Sequence, residues 1–372
     1  MLIGVPKEIK VLENRVGMTP ASVRELVHHG HQAIVERNAG QGIGASDDEY
    51  ARAGATIAAT AAEVFAKAEM IVKVKEPQAG ERKMLRPGQI LFTYLHLAPD
   101  PEQTRDLIAG GAVCIAYETV TSPSGGLPLL APMSEVAGRM AVQAGAYYLE
   151  KAHGGKGILL GGVPGVEPAK VVVLGGGVVG THAITVALGM EADVWVIDRN
   201  VEALRRLWAQ FGPALNTVFS TRDAIERHVE MADLVIGGVL VPGASAPKLV
   251  SRELVARMER GSVLVDVAID QGGCFETSRP TTHSDPIYEV DGVVHYCVAN
   301  MPGAVPITST KGLTNVTLPY VQEIADAGVE DALRRSRPLA RGVNVIEGRL
   351  VNRPVAESLG LAYTPLEAVV EG

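Results

Sequence analysis

Residues 169–200, AKVVVLGGGVVGTHAITVALGMEADVWVIDRN, constrain the fold of this chain more than any other segment. An aliphatic strand-like run leads into Gly175-x-Gly177-x-x-Gly180. An apolar helical pattern follows, and then a second aliphatic run ends in Asp198. Each glycine in such a turn has its own reason. The first, Gly175, permits the tight turn. Gly177 lets a pyrophosphate approach the backbone, and Gly180 lets the helix pack closely on the strand. The helix N-terminus offers unpaired N–H groups to phosphate oxygens. Asp198, about 20 residues beyond the turn, is placed to accept from ribose hydroxyls. A βαβ unit with an ordinary glycine turn explains the alternation, but not three glycines and a terminal acid together. The segment therefore predicts a dinucleotide site. Asp198 would repel a 2′-phosphate, which favours NAD over NADP, and Arg199 beside it tempers that preference slightly.

The rest of the chain carries the same rhythm. Over the first 130 residues, runs such as LIGVPKE, HQAIVE, MIVKVKEP, QILFTYLHL and AVCIAYETV alternate with helical patterns. In TPASVRELVHHG, Thr19 is set as N-cap, Pro20 as the first helical residue and Gly30 as the stop. A second series runs from AKVVVLGGG through ADVWVIDRN, ADLVIGGV and SVLVDVAID to HYCVANMPG. Such alternation predicts βα units and mostly parallel sheets. With 372 residues, 47% of them hydrophobic and only 4% aromatic, the chain suits two α/β domains built on short aliphatic strands. The expectation is two Rossmann-like parallel-sheet domains with an active-site cleft between them. A long helix rich in small residues (133–152) forms a spine. A helical stretch after Pro306 returns to the first domain, so residues 1–128 with 307–372 form one domain and 129–306 the other. The first would bind substrate and the second the dinucleotide.

A net charge of −8 with no block of Lys and Arg argues against nucleic acid or an anionic membrane as partner. Residues 171–190 are the most membrane-like, yet Gly175, Gly176, Gly177, Gly180, Gly189 and His182 make them a strand, turn and helix. Cys114, Cys274 and Cys297 stand far apart without metal spacing and read as thiols in a reducing compartment. The opening MLIGVPKEIKVLENR has no signal-peptide pattern, so a cytoplasmic location is expected.

In open α/β sheets the reacting groups gather beyond the carboxyl ends of strands. Arg15 follows LIGVP in a polar loop, where a surface charge is the commoner role. Lys75 ends IVKVKEP, and alternation puts Lys73 on the same face, so the pattern does not choose between them. His96 ends the apolar run ILFTYLHLAP, where a lone histidine is more often structural. His28, His29 and His31 cluster at a helix end without acids and read as a solvated cap. In VLVDVAIDQGG, Asp270 closes a strand before a Gly-Gly break. Asp266, four residues earlier on the same face by a period of two, sits deeper and reads as a satisfied structural carboxylate.

Seven motifs together resemble the L-alanine dehydrogenases, and they cover essentially the whole chain. They are IGVPKEIKVLENRVGMTP, VKVKEP, LFTYLHLA, PMSEVAGRMA, GGGVVG, VDVAIDQGGCFET and VANMPGAVPITST. The resemblance implies reversible oxidative deamination of L-alanine to pyruvate and ammonia with NAD. It implies that Arg15 and Lys75 hold the substrate carboxylate and carbonyl oxygen, with His96 as general acid/base and Asp270 as the second. It also implies cofactor contacts from Ser134, Val178, Val179, Ser220, Val239, Leu240, Val267, Arg279, Val298, Asn300 and Met301. A homohexamer is implied as well. Some relatives are associated with magnesium near an acid equivalent to Glu118. With no histidine in residues 320–335 to partner it, no metal is assigned. The rivals are the NAD-binding subunit of a proton-translocating transhydrogenase, an opine-type or saccharopine-type dehydrogenase, and a non-catalytic NAD sensor. The sensor reading predicts loss of the proton-transfer residues, and His96 and Asp270 are both present.

Overall fold

The structure is a computed structural model and describes residues 1–239 and 246–370. It divides into two compact units, Met1–Pro132 with Val305–Gly372, and Met133–Ala304. In chain order the first strands are β1 (Leu2–Val5), β2 (Gln32–Glu36), β3 (Thr56–Ala58), β4 (Met70–Val72), β5 (Ile90–Thr93) and β6 (Val113–Ala116). The second unit holds β7 (Lys170–Leu174), β8 (Asp193–Asp198), β9 (Leu215–Phe219), β10 (Leu234–Gly237), β11 (Val263–Asp266), β12 (Ile287–Val290) and β13 (Val293–Tyr296). The chain closes with β14 (Val343–Ile346) and β15 (Arg349–Leu350), which pair in the first sheet.

The first sheet runs β15-β14-β6-β5-β4-β1-β2-β3 and the second β12-β13-β11-β10-β7-β8-β9. Counted within each unit, the parallel strands of both follow the doubly wound order 3-2-1-4-5-6. Among the described residues, antiparallel pairing within the sheets lies at one edge of each: β6–β14 and β14–β15 in the first sheet, β13–β12 in the second. The order reverses between β1 and β4 in one sheet and between β7 and β10 in the other.

Period-two alternation separates the two faces of the second sheet. Val171, Val173, Val194, Val196, Leu234 and Ile236 point into one buried cluster with Ala183 and Ile184 of the helix Val178–Gly189. Val172, Leu174, Ile197, Val235 and Leu264 point into the other, beneath Ile225, Val229 and Leu254. Covering both faces is what makes these strands read as unbroken aliphatic runs.

Three strands stop sooner than the alternation predicts. β4 ends at Val72, β5 at Thr93 and β11 at Asp266. Their apolar patterns continue because the chain beyond them stays buried: Val74, Tyr94, Leu95 and Leu97 are all interior. Burial, not extended geometry, makes the pattern. His96 accordingly has a left-handed backbone (φ 50°), and Asp270 sits in a 3-10 turn, Val267–Gln271. The hairpin β12–β13 turns on Asp291 (φ 53°) and Gly292 (φ 86°), an Asp-Gly pair suited to a two-residue turn. Among the described residues no helix is long and apolar enough to cross a membrane.

Candidate functional site

In the second unit, the loops after β7 and β10 meet at the strand-order reversal. Gly175 takes φ 99° and its N–H donates to Ile197 O at 2.9 Å, which closes the turn on β8. A Cβ on Gly180 would lie 1.8 Å from Gly175 O, so the helix can sit this close only as glycine. Among the described residues a Cβ on Gly177 would meet no atom within 4 Å, and Gly177 caps the helix without a side-chain bond. Open space beside uncapped N–H groups is what a dinucleotide pyrophosphate needs, so these residues fit such a group.

Asp198 is half-buried at the end of β8. Its Oδ2 accepts from Gly176 N–H at 2.6 Å and its Oδ1 from Asn200 N–H at 2.7 Å. A carboxylate has about four lone-pair sites, so these bonds aim it and leave acceptor capacity for a ribose. The Arg206 guanidinium donates to Gly176 O at 2.8 Å and braces the same turn. Ser220 follows β9, its N–H donating to Asp198 O at 3.0 Å. Val239 is half-buried just after β10, and Leu240 lies outside the described residues. Ser134 is half-buried in the first turn of the helix Ala131–Leu149, and Val267 half-buried in the turn after β11. Val178 is exposed and Val179 buried at the helix start. Arg279 lies over the Tyr288 ring at 4.0 Å. Val298 and Met301 are buried; Asn300 between them has φ 60° and its carbonyl oxygen lies 3.1 Å from His283 Nε2.

The two aspartates separate sharply. Asp270 is exposed. Asp266 is fully buried, and its carboxylate receives N–H groups from Ala268 and Cys274 and the Ser278 hydroxyl. Burial pushes its pKa above the ordinary carboxylate value, and those hydrogen bonds pull against the rise.

In the first unit, the loops after β1 and β4 likewise meet at the reversal. A Cβ on Gly17 would lie 2.3 Å from Val72 O, so the loop carrying Arg15 passes directly over the end of β4. Arg15 is buried, with Nε donating to Glu13 Oε1 at 2.7 Å and Nη2 to Glu13 Oε2 at 2.6 Å. Burial alone would lower its pKa, but the Glu13 bonds and charge outweigh that and hold the guanidinium charged.

Lys73 and Lys75 are told apart by their partners. Lys73 is fully buried, with Nζ 3.2 Å from Glu8 Oε2 and 2.8 Å from Glu81 Oε1. Burial opposes its charge, and the two carboxylates more than offset this. Glu8 Oε1 also accepts the N–H groups of Val74 at 2.6 Å and Lys75 at 3.4 Å. The buried ion cluster thus fixes the backbone that presents Lys75, whose side chain is only half-buried.

His96 follows β5 with its side chain 47% exposed. Glu118, just beyond β6, accepts the N–H of His96 at 2.7 Å and of Leu95 at 3.2 Å. Its Oε1 also lies 3.9 Å from His96 Nδ1. The ring lies parallel to Tyr94 at 5.8 Å, and the buried Tyr94 hydroxyl donates to Leu129 O at 2.6 Å. Glu118 therefore holds the strained backbone of His96 and faces one ring nitrogen. No set of three His, Cys, Asp or Glu suited to a metal occurs among the described residues.

Both units have counterparts among known proteins. Residues 4–137 match the family model described as alanine dehydrogenase/PNT, N-terminal domain, and residues 141–353 match its C-terminal domain. The chain belongs to the alanine dehydrogenase/PNT family. Alanine dehydrogenase of Halomonas elongata is 58% identical over 370 residues, covering 100% of both chains. A solved L-alanine dehydrogenase superposes with a TM-score of 0.94 at 53% identity, covering 97% of this chain and 99% of that one. A transhydrogenase from Sinorhizobium meliloti superposes with a TM-score of 0.83 at 25% identity, covering 94% of this chain and 100% of that one.

Within this alanine dehydrogenase/PNT chain, Glu8 and Glu13 are acids that the sequence motifs pass over, and Glu118, weighed there only for a metal, supports the His96 backbone instead. Their signal was in the sequence: each is a carboxylate beside an apolar run or a candidate cation. Only contacts show which cation each acid serves.

Proposed function

We propose that this chain is an NAD-dependent alanine dehydrogenase that interconverts L-alanine with pyruvate and ammonia. It is an oxidoreductase acting on a CH–NH2 group with a nicotinamide cofactor, as supported by its full-length likeness to alanine dehydrogenases. The observation that carries the reading is the difference between the two strand-order reversals. One has the glycine turn and Asp198. The other has no glycine turn but a buried guanidinium and a lysine, with an imidazole following the adjacent strand β5. Residues 1–128 with 307–372 then serve the substrate, and 129–306 the cofactor.

In this reading the planar Arg15 fork, held charged by Glu13, takes the substrate carboxylate, and Lys75 takes the carbonyl oxygen. His96 is the general acid/base, moving protons as water adds and ammonia leaves; an imidazole suits that traffic near neutral pH. Asp270 is the second acid/base and pairs with the transient iminium. Ser134, the Gly175–Gly177–Gly180 turn with Val178 and Val179, Asp198, Ser220, Val239, Val267, Arg279, Val298, Asn300 and Met301 hold NAD. When bound, NAD supplies the hydride acceptor for the alanine Cα hydrogen. The same reading makes the protein a cytoplasmic homohexamer, with its three buried, unpaired cysteines suited to a reducing compartment. Sedimentation of the purified chain checks the hexamer.

Following NADH absorbance with L-alanine and NAD, against L-serine, glycine and NADP, tests the activity. Absence of NADH with alanine and NAD would overturn it and favour the transhydrogenase-like reading. His96→Ala and Asp270→Asn are each expected to cut kcat by roughly 10²–10⁴-fold, the usual worth of positioned acid–base groups, while NADH binding stays intact. Near-normal turnover in either variant removes that residue from its role.

A further inference from the structure

Asp270 stands on a turn with little packing of its own. The 3-10 turn Val267–Gln271 ends on Gly272 (φ 89°) and Gly273 (φ 75°), and Cys274 and Phe275 follow directly. An exposed acid on such a turn would wander unless the backbone were pinned. Two ions pin it from opposite sides. From beneath, the Asp266 carboxylate accepts the N–H groups of Ala268 at 3.1 Å, Cys274 at 2.9 Å and Phe275 at 3.4 Å. It also accepts the Ser278 hydroxyl at 2.5 Å. From outside, the Lys248 ammonium donates to three carbonyls of the same segment: Gly272 at 2.5 Å, Gly273 at 2.9 Å and Phe275 at 3.1 Å. An anion holds the turn's N–H groups and a cation holds its carbonyls.

The neighbouring chain is shaped around this arrangement. Ala246 N–H donates to Gln271 O at 2.9 Å and Leu249 N–H to Cys274 O at 2.8 Å, so the segment bearing Lys248 is bound alongside the turn. A Cβ on Gly273 would lie 2.6 Å from Asp266 Oδ2, and a Cβ on Gly237 would lie 3.4 Å from Oδ1. Glycine at 273 keeps the space for the carboxylate, whereas a Cβ at Gly237 would only touch it and would clash instead with Cys274 Sγ at 2.2 Å. Burying a carboxylate is costly, and four donors around one that no chemistry reaches call for a role.

We propose that Asp266 and Lys248 are positioning residues that fix the backbone of the Asp270 turn, so that turnover depends on them through Asp270. This rests on the reading of Asp270 as an acid/base. A displacement of about 1 Å at a reacting group can cost roughly 10²-fold in rate, so loosening the turn should be visible in kcat.

The experiment uses the full-length protein with Lys248→Met, Ser278→Ala, Asp266→Asn and Asp270→Asn, singly and combined. Lys248 is exposed and Ser278 loses one hydroxyl, so both variants should melt near the parent temperature even if Asp266→Asn folds poorly. Lys248→Met and Ser278→Ala are expected to lower kcat roughly tenfold or more, with the NADH dissociation constant within about threefold. Lys248→Arg, which keeps the charge and its donors, should recover most of the loss. In the Asp270→Asn background, Lys248→Met should lower the residual kcat no further, because groups acting as one unit are not additive. Parental kcat in both Lys248→Met and Ser278→Ala, beside an impaired Asp270→Asn, overturns the clamp alone. So does an undiminished Lys248→Met effect in the Asp270→Asn background. Near-normal kcat in Asp270→Asn overturns the acid/base reading, and the purpose of the clamp falls with it.

Discussion

Arg15 and Glu13 form a buried pair only two residues apart, which places a guanidinium where a surface charge is the commoner outcome. Removing one partner of such a pair leaves an uncompensated buried charge, typically at a cost of about 3–5 kcal/mol. Arg15→Ala is therefore expected to lower the unfolding free energy from denaturant titration by that order and to abolish substrate binding. Arg15→Lys keeps the charge but not the two-pronged geometry. It should raise the KM for pyruvate while leaving NADH binding unchanged, and an unchanged KM would remove Arg15 from carboxylate recognition. The neighbouring choice between Lys73 and Lys75 shows where residue-scale reading stops. Both positions carry the same chemistry in the sequence. Only the burial of Lys73 between Glu8 and Glu81 commits it to structure. The contrast between Asp266 and Asp270 was legible as a depth difference, although the supposed shared strand was wrong.

At the scale of elements, the dinucleotide turn was readable because glycine chemistry is local. Gly175 needs its left-handed φ, and Gly180 needs the absence of a Cβ against Gly175 O. Gly180→Ala must push the helix Val178–Gly189 away from β7, and overpacking of this kind costs about 1–3 kcal/mol. We expect a lower melting temperature and weaker NADH binding, both measurable by fluorescence; parental NADH affinity would show that the turn does not form the phosphate site. Strand ends were less legible. Alternation reports burial, so β5 and β11 read as running on to His96 and Asp270, where the backbone has already turned into a left-handed residue and a 3-10 turn. The edge strands β14 and β15 are short, and nothing in their composition says which sheet they join.

At the scale of the whole molecule, the two units repeat one strand order and place different residues at the reversal. Their pH responses can be separated because both tryptophans, Trp195 and Trp208, lie in the second unit. That unit buries His295, whose Nδ1 lies 2.9 Å from Val293 O and whose Nε2 lies 2.7 Å from the Thr277 hydroxyl. A carbonyl can only accept, so Nδ1 carries the proton and Nε2 accepts from Thr277. Burial holds the ring's pKa below its ordinary value of 6.5, with the Val293 bond and Asp291 opposing the shift. The unfolded ring binds protons more readily, so this contribution to stability is present above about pH 6.5 and is lost as pH falls below it. Urea midpoints followed by tryptophan fluorescence should drop on acidification, and His295→Gln should flatten that slope. A slope unchanged by the substitution would assign it to other groups.

The sequence by itself determined the α/β class, the glycine turn with Asp198 and the candidate cations and acids, because these rest on local backbone chemistry and side-chain type. Tertiary structure alone decided which lysine is consumed by buried acids, where each strand stops, and that Glu118 stands beside His96 and Lys248 over the Asp270 turn. Lys73 meets Glu8 across 65 residues, His96 meets Glu118 across 22, and Lys248 meets carbonyls 24–27 residues away, and no pattern of period two or 3.6 reaches that far.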